Sequence, residues 1–335
     1  MFRLIGGEEL LARGVSNVAR LRPVLAHNAD PLDVRNATLR KDEWEQVDRR
    51  VNEVLRERLT IVDDLRGRGL VTPVNLGTVL RVTERLEEFT AAEVSYDGDT
   101  APKKDRPSFL KDTIPVPVVA KDFQISWRQL EASRLRGEPL DLTAAAAATR
   151  RVRDKLQDLF VNGYGQGPGT NPAVSGQGTS IPGLTTAASR QLVSLGTDWD
   201  LSGAAIIDDV MRMLEAAYAV NLFGPFFLYV PKNYWATLQE DYSTLKGDRT
   251  FIQRILAMED IEAVRPLDTL ADDNVVLVQM TEDVLDLSEA QAITTVQWEK
   301  NPFVTIFRVL AVAGPHIKSM ETAGGTTVHG IVHLS

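Results

Sequence analysis

The strongest constraint on this chain is the polar excursion that runs from Thr83 to Val118. Glu93-Val94-Ser95-Tyr96 leads into Asp97-Gly98-Asp99, the chain passes through Pro102, Lys103, Lys104, Asp105, Arg106 and Pro107, and it returns through Thr113-Ile-Pro-Val-Pro-Val-Val119. It reads as a long β-hairpin. The Asp-Gly pair supplies the positive-φ positions that a reversal needs, although the tip is too long for a two-residue turn. Pro115 and Pro117 lose their N–H groups on the same side, so the return strand pairs on one edge only. A charged tip with few large apolar side chains cannot build a core. Asp97, Gly98, Asp99, Lys103, Lys104, Asp105 and Arg106 therefore either stand in solvent or lie on another molecule.

The remaining chain has ample material for cores, with 335 residues that are 44% apolar and 25% charged. That length suggests about two domains. The sequence contains no cysteine and four histidines, His27, His316, His329 and His333, which excludes disulfides, cysteine–zinc sites and thiol nucleophiles and leaves little room for histidine chemistry. The first ten residues lack a signal-peptide pattern, and Val220–Val230, the longest apolar segment, is broken by Asn221, Gly224 and Pro225 and is too short to span a membrane. A soluble, non-exported chain is expected. The net charge of −9 argues against a phosphate-gripping surface. Residues 1–60 carry 11 basic and 10 acidic groups, leaving −10 for the remainder. Seven acids and no Lys or Arg fall within 266–290: Asp268, Asp272, Asp273, Glu282, Asp283, Asp286 and Glu289. A solvated face is the plain expectation for this block, and a weakly DNA-repelling surface the sharper one.

Periodicity organises the rest. Residues 1–40 read as an arm. Trp44, Val47, Val51, Val54 and Leu55 stripe a helix over 41–58, and a strand is expected at Val79–Val82. Phe123, Ile125 and Trp127 alternate with polar residues as a half-buried strand, followed by a short helix that stops at Gly137. Leu142–Asn162 is a long helix favoured by five consecutive alanines, Ala144 to Ala148, and ended by Gly163. Residues 163–183, with seven glycines, read as a loop. A helix over 202–220, a buried strand at Phe226–Val230, a helix opened by Pro231, and strands at 275–280, 292–299 and 302–313 complete an α+β order.

No motif for catalysis or a cofactor emerges, so no cofactor and no metal are expected. Gly178–Thr185 nearly has P-loop spacing, but Leu184 stands where the phosphate-binding lysine belongs. His329 and His333 are four apart in a segment that reads as an extended or frayed tail. His316 has no second ligand within sequence reach. The pairs Asp63-Asp64, Glu87-Glu88, Glu259-Asp260 and Asp272-Asp273 are adjacent and read as solvated.

The arm, the charged hairpin, the Phe-Gln-Ile-Ser-Trp strand, the long helix, the glycine loop, the α/β middle and the closing strands together resemble the Hong Kong 97-type major capsid protein fold. The likeness is nearest to its encapsulin branch. It is carried by Trp44, Val47, Val51 and Leu55, by Val74-Asn75-Leu76-Gly77, by Asp122-Phe123-Gln124-Ile125 with Leu130, by Phe160-Val-Asn-Gly163, and by Val275–Met280 through Val312. The resemblance implies an arm (1–40), a peripheral-domain entry (41–82), an extension-loop hairpin (83–118) lying across a neighbouring subunit, a peripheral domain (119–183) with spine helix 142–162, an axial domain (184–290), and peripheral strands with a C-terminal tail (291–335). It further implies many copies of the chain, as hexamers and pentamers, forming an icosahedral shell without catalysis. Such shells recruit scaffold, portal or decoration proteins, and the chain touches no membrane.

The arm of some forty residues and the long hairpin are more typical of viral shells. A virion coat assembled in the host cytoplasm, enclosing double-stranded DNA without reading its sequence, is therefore the first expectation. An encapsulin-like compartment around cargo enzymes is the alternative. In shells that are cross-linked, Lys103 or Lys104 is the candidate amine for an isopeptide bond.

Overall fold

The computed structural model describes residues 45–47, 49–51, 60–86, 94, 96, 106, 109–136, 142–165, 180–201, 203–242, 249–301, 303–321 and 327–335. The elements are α1 (Thr60–Gly67), β1 (Val71–Pro73), β2 (Leu80–Leu86), β3 (Phe109–Pro115), β4 (Val118–Ser126), α2 (Trp127–Arg136), α3 (Thr143–Asn162), β5 (Gln191–Val193), α4 (Gly203–Tyr218), β6 (Phe226–Val230), α5 (Lys232–Trp235) and α6 (Phe251–Ile255). After them come β7 (Ile261–Pro266), β8 (Val275–Gln279), β9 (Leu285–Asn301), β10 (Val304–Ile317), β11 (Ser319–Glu321), β12 (Thr327–His329) and β13 (Ile331–Leu334). Among the described residues there are four sheets: β1-β9-β10-β4, β5-β13-β8-β6-β7, and the pairs β2-β3 and β11-β12.

The chain divides into two compact units. The smaller holds described residues among 1–54, 120–150 and 295–309. Its apolar layer forms where alternating side chains of β4 and β10 meet, with Phe123 stacked on Phe307 at 5.0 Å. Residues 45–47 and 49–51 are helical, with Val47 and Val51 buried as the stripe requires, while the rest of that expected helix, including Trp44, lies outside the described residues. Trp127 does not continue β4. It begins α2, where the Ser126 hydroxyl accepts from the backbone N–H of Gln129 and stops the strand period.

The larger unit comprises 55–119, 151–294 and 310–335 and is built on the five-stranded sheet. β6 is buried along its whole length because β7 pairs it in parallel and β8 antiparallel. α4 lays Ile206, Val210, Met213, Leu214 and Ala217 on this core at helical spacing. Burying five such side chains contributes on the order of 8 kcal/mol before entropy is counted. Tyr218, four residues beyond Leu214 on the same helix, stacks on Phe223 near the surface.

The C-terminal residues are the main surprise of the fold. β13 lies between β5 and β8 and is completely buried, so 331–334 is a core strand rather than a tail. Val332 pairs with Leu277 and with Gln191, contacts more than fifty residues distant that local reading cannot supply.

Candidate functional site

The hairpin strands β2 and β3 pair antiparallel over seven positions, from Leu80↔Pro115 to Leu86↔Phe109. Residues directly opposite share a face. One face carries Leu80 and Val82 on β2 with Phe109, Lys111 and Thr113 on β3, and all five are exposed, Val82 to 56% and Phe109 to 58%. Glu84 and Lys111 pair across it at 3.6 Å. The other face presents Arg81, Thr83, Asp112 and Ile114, which are buried or half-buried. An isolated two-stranded ribbon is marginal in water, and one that shows valine, leucine and phenylalanine to solvent is incomplete without a partner.

Of the expected tip residues, Asp97, Gly98, Asp99, Lys103, Lys104 and Asp105 lie outside the described residues, and Arg106 is exposed. The strand expected at 79–82 is β2, and it starts at Leu80 and runs to Leu86. Val79 forms the neck: its carbonyl accepts from the Val116 N–H at 2.9 Å. Pro115 and Pro117 are buried, and Gly314 of β10 permits their close approach, since a Cβ there would stand 3.0 Å from Pro117 Cδ and 3.1 Å from the Pro115 carbonyl.

Below this neck lies a buried ionic cluster. Asp286 of β9 and His316 of β10 are each 2% exposed, and His316 Nδ1 lies 3.0 Å from Asp286 Oδ1. Arg81 Nη1 reaches both carboxylate oxygens, at 3.0 and 3.2 Å, and the Ser288 hydroxyl at 2.7 Å. The Thr72 hydroxyl donates to Oδ2 at 3.1 Å, and Lys318 Nζ stands 3.3 Å from the same atom. Burial alone raises the Asp286 carboxyl, but the His316 hydrogen bond and the charges of His316, Arg81 and Lys318 outweigh it and hold the group down at about 2. With the carboxylate ionised, the hydrogen bond requires the imidazole proton on Nδ1. A second polar contact holds the return strand, where the Ser319 hydroxyl donates to Asp112 at 3.1 Å.

This cluster divides the acidic block of 266–290. Asp286 is an interior anion matched by three basic groups, and Glu289 pairs with Arg66 at 2.5 Å. Asp268 accepts from Gln157 at 2.8 Å, and Asp273 from Asn233 at 2.9 Å. The expected solvated face survives at Asp268, Asp272, Asp273, Glu282 and Asp283, which are all exposed. The sequence hid the cluster because Arg81 and His316 lie 205 and 30 residues from Asp286. Asp286 and His316 also lie outside the strands expected at 275–280, 292–299 and 302–313, so no local signal marked them.

Other expected features resolve locally. Gly163 (φ +71°) ends α3, and the backbone of 181–184 crosses it so tightly that a Cβ on Gly183 would stand 2.3 Å from the Gly163 nitrogen. Thr185 and Thr186 hydroxyls cap the helix by donating to the carbonyls of Val161 and Asn162 at 2.9 and 3.1 Å. Leu184, at the lysine position of a P-loop, is buried in this crossing, and residues 166–179 lie outside the described residues. Asp64 is half-buried rather than solvated: it accepts from the Tyr229 hydroxyl at 3.0 Å, and burial raises its carboxyl against that bond and Arg265. Glu87-Glu88 lies outside the described residues, and Asp260 accepts from Tyr218.

His333 is buried between Arg190 and Asn274, its Nε2 2.9 Å from the Asn274 oxygen, and burial followed by the Arg190 charge pushes it down to about 4. His329 Nδ1 faces the Lys318 carbonyl at 3.2 Å. Among the described residues no group of three or more His, Asp or Glu is arranged to hold a metal, and no helix is long and apolar enough to cross a membrane.

Comparisons with known proteins agree on one architecture. Residues 33–329 match a family described as one of unknown function, DUF6260. The chain is 23% identical over 302 residues to the type 1 encapsulin shell protein EncA of Myxococcus xanthus, an alignment covering 86% of this chain and 95% of that protein. It is 26% identical over 208 residues to a diheme-cytochrome–encapsulin shell fusion protein of Kuenenia stuttgartiensis, covering 61% of this chain; the chain spans about half the length, 51%, of that fusion.

Among solved structures, the virus-like particle from Pyrococcus furiosus superposes with a TM-score of 0.61 at 16% identity, covering 87% of this chain and 98% of that one. The capsid of Myoviridae phage XM1 follows with a TM-score of 0.57 at 14% identity, covering 80% and 90%. The fold is the α+β Hong Kong 97-type fold expected from the sequence.

Proposed function

Because the chain belongs to the family of unknown function DUF6260 and folds as capsid and encapsulin subunits do, we propose that it is an icosahedral shell protein of the encapsulin kind, a compartment wall built from many copies of itself. The observation that carries self-assembly is the hairpin, whose Leu80, Val82 and Phe109 face solvent on one side while its other side is held by its own subunit. A second copy is the partner that such a face requires, and shell interfaces of this type bury ~2,000 Å² or more. On this reading the chain performs no catalysis. The five-stranded unit serves as the axial domain, and the hairpin is the extension loop.

The virion coat anticipated from the arm and hairpin length is the weaker reading, because the named relatives at sequence level are encapsulin shells, one of them aligned over 95% of its length. The phage XM1 likeness keeps it as the second reading. Electron microscopy of the chain expressed alone tests the shared premise: uniform hollow shells are expected, and small discrete oligomers would overturn both. Nuclease treatment of native particles separates the two. Co-purifying protein without protected DNA supports the compartment, and protected double-stranded DNA supports the coat.

A further inference from the structure

The hairpin leaves its subunit over a root in which directional polar contacts stand beside apolar ones. Among the described side chains of this root, Ile114, Pro115, Val116 and Pro117 are buried, and beside them Arg81 reaches two carboxylate oxygens and a hydroxyl, and Asp112 takes a hydrogen bond from Ser319. The two contacts sit on opposite strands, and their partners come from β9 and β11. Thr72, His316 and Lys318 hold the Asp286 carboxylate from three further directions, so its position is fixed independently of the hairpin.

Apolar packing and ionic pinning differ in what they specify. Apolar burial is non-directional, while an arginine nitrogen held at once by both oxygens of a fixed carboxylate and by the Ser288 hydroxyl has its position defined by three directional contacts. The hairpin is also a lever. Seven paired residues at ~3.3 Å each span roughly 23 Å, so a tilt of roughly 10° at the root displaces the far end by roughly 4 Å, enough to lose register with any surface it lies on.

We propose that Arg81 and Asp286 form a latch that fixes the direction in which the hairpin leaves the subunit, so that the latch selects which neighbour geometry, and hence which shell diameter, the chain builds. Arg81 is a positioning residue here. It acts by holding β2 against β9. Opening the latch exchanges Arg81–Asp286 contacts for water while His316 and Lys318 keep the carboxylate compensated, so the root can release the hairpin without unfolding the sheet beneath it. The selection of shell diameter rests on the shell reading above; the latch itself does not.

Two variants test it: Arg81→Met, which deletes the charge and its hydrogen bonds, and Arg81→Lys, which keeps the charge but reaches less far toward the carboxylate. Hydrogen exchange on unassembled full-length subunits is read at 80–86 and 109–115, with β8 and β13 amides as internal reference. About tenfold faster exchange in the hairpin of Arg81→Met with the reference unchanged is expected, with Arg81→Lys intermediate. Electron microscopy should then show Arg81→Met shells spread over several diameters where the parent gives one. Unchanged hairpin exchange overturns the latch, as does an equal rise in hairpin and reference amides, which marks general destabilisation. A single unchanged diameter despite a released hairpin overturns the selection of shell size. Absence of shells from the parent chain refutes the shell reading alone, because the exchange measurement on subunits still decides the latch.

Discussion

Replacing Asp286 with Asn removes the negative charge on which Arg81, His316 and Lys318 converge while keeping the side chain's shape. The carboxyl stands at about 2 in the folded subunit, well below the 3.8 of a free side chain. At 1.36 kcal/mol per pH unit, the ionised form contributes on the order of 2 kcal/mol to folding. The folded value is depressed, so this contribution is complete above the unfolded value near 3.8 and is lost as pH falls through 2.

At pH 7 the variant also leaves Arg81 and Lys318 facing an uncharged amide. Both keep some access to water, at 17% and 27% exposure, so the full ~3–5 kcal/mol of a broken buried pair is not reached and about 3 kcal/mol is expected. Urea unfolding of unassembled subunits, followed by tryptophan fluorescence at pH 7, 4 and 2, gives the difference between parent and variant. That gap should be about 3 kcal/mol at pH 7 and should shrink to under about 1 kcal/mol at pH 2. A gap that stays constant with pH, or lies below about 0.5 kcal/mol at pH 7, would refute the assignment of Asp286 as the ionised centre of the root.

Further outcomes follow from other parts of the molecule. His333, pushed down to about 4 from 6.5, folds neutral and unfolds with a protonatable ring, so stability falls as pH drops from about 6.5 to 4. The loss should be about 3 kcal/mol in the parent and absent in His333→Gln, measured by the same urea titrations. Gly183→Ala forces a Cβ against the Gly163 nitrogen and the Val161 carbonyl, at 2.3 and 2.6 Å, and should cost about 2–4 kcal/mol with accelerated exchange at 160–164. Gly77→Ala meets no atom within 4 Å and should stay within about 0.5 kcal/mol. The double variant Val82→Asp, Phe109→Glu charges the outward hairpin face and should abolish shells while circular dichroism of the subunit is unchanged; undiminished shell yield would count against the hairpin as the assembly surface.

Local chemistry sufficed for much of this molecule. Periodicity marked α4 and β6, five alanines and a terminal glycine bounded α3, and the polarity of 83–118 pointed to the hairpin whose strands are β2 and β3, because each of these signals is carried by residues within a few turns of one another. Three things depended on tertiary structure. Asp286 looked like one acid among seven until Arg81, His316 and Lys318 arrived from distant strands, and its charge became an interior anchor rather than a surface feature. The C-terminal segment looked like a tail until β5 and β8 flanked it. The hairpin's two faces became unequal only when one was docked: Leu80 and Val82 alternate with Arg81 and Thr83, and the sequence alone favours burying the apolar set. The subunit instead buries the arginine, because a fixed carboxylate awaits it, and leaves the apolar side chains outward. A strand's pattern states that two faces differ, and only its neighbours in space decide which face turns inward.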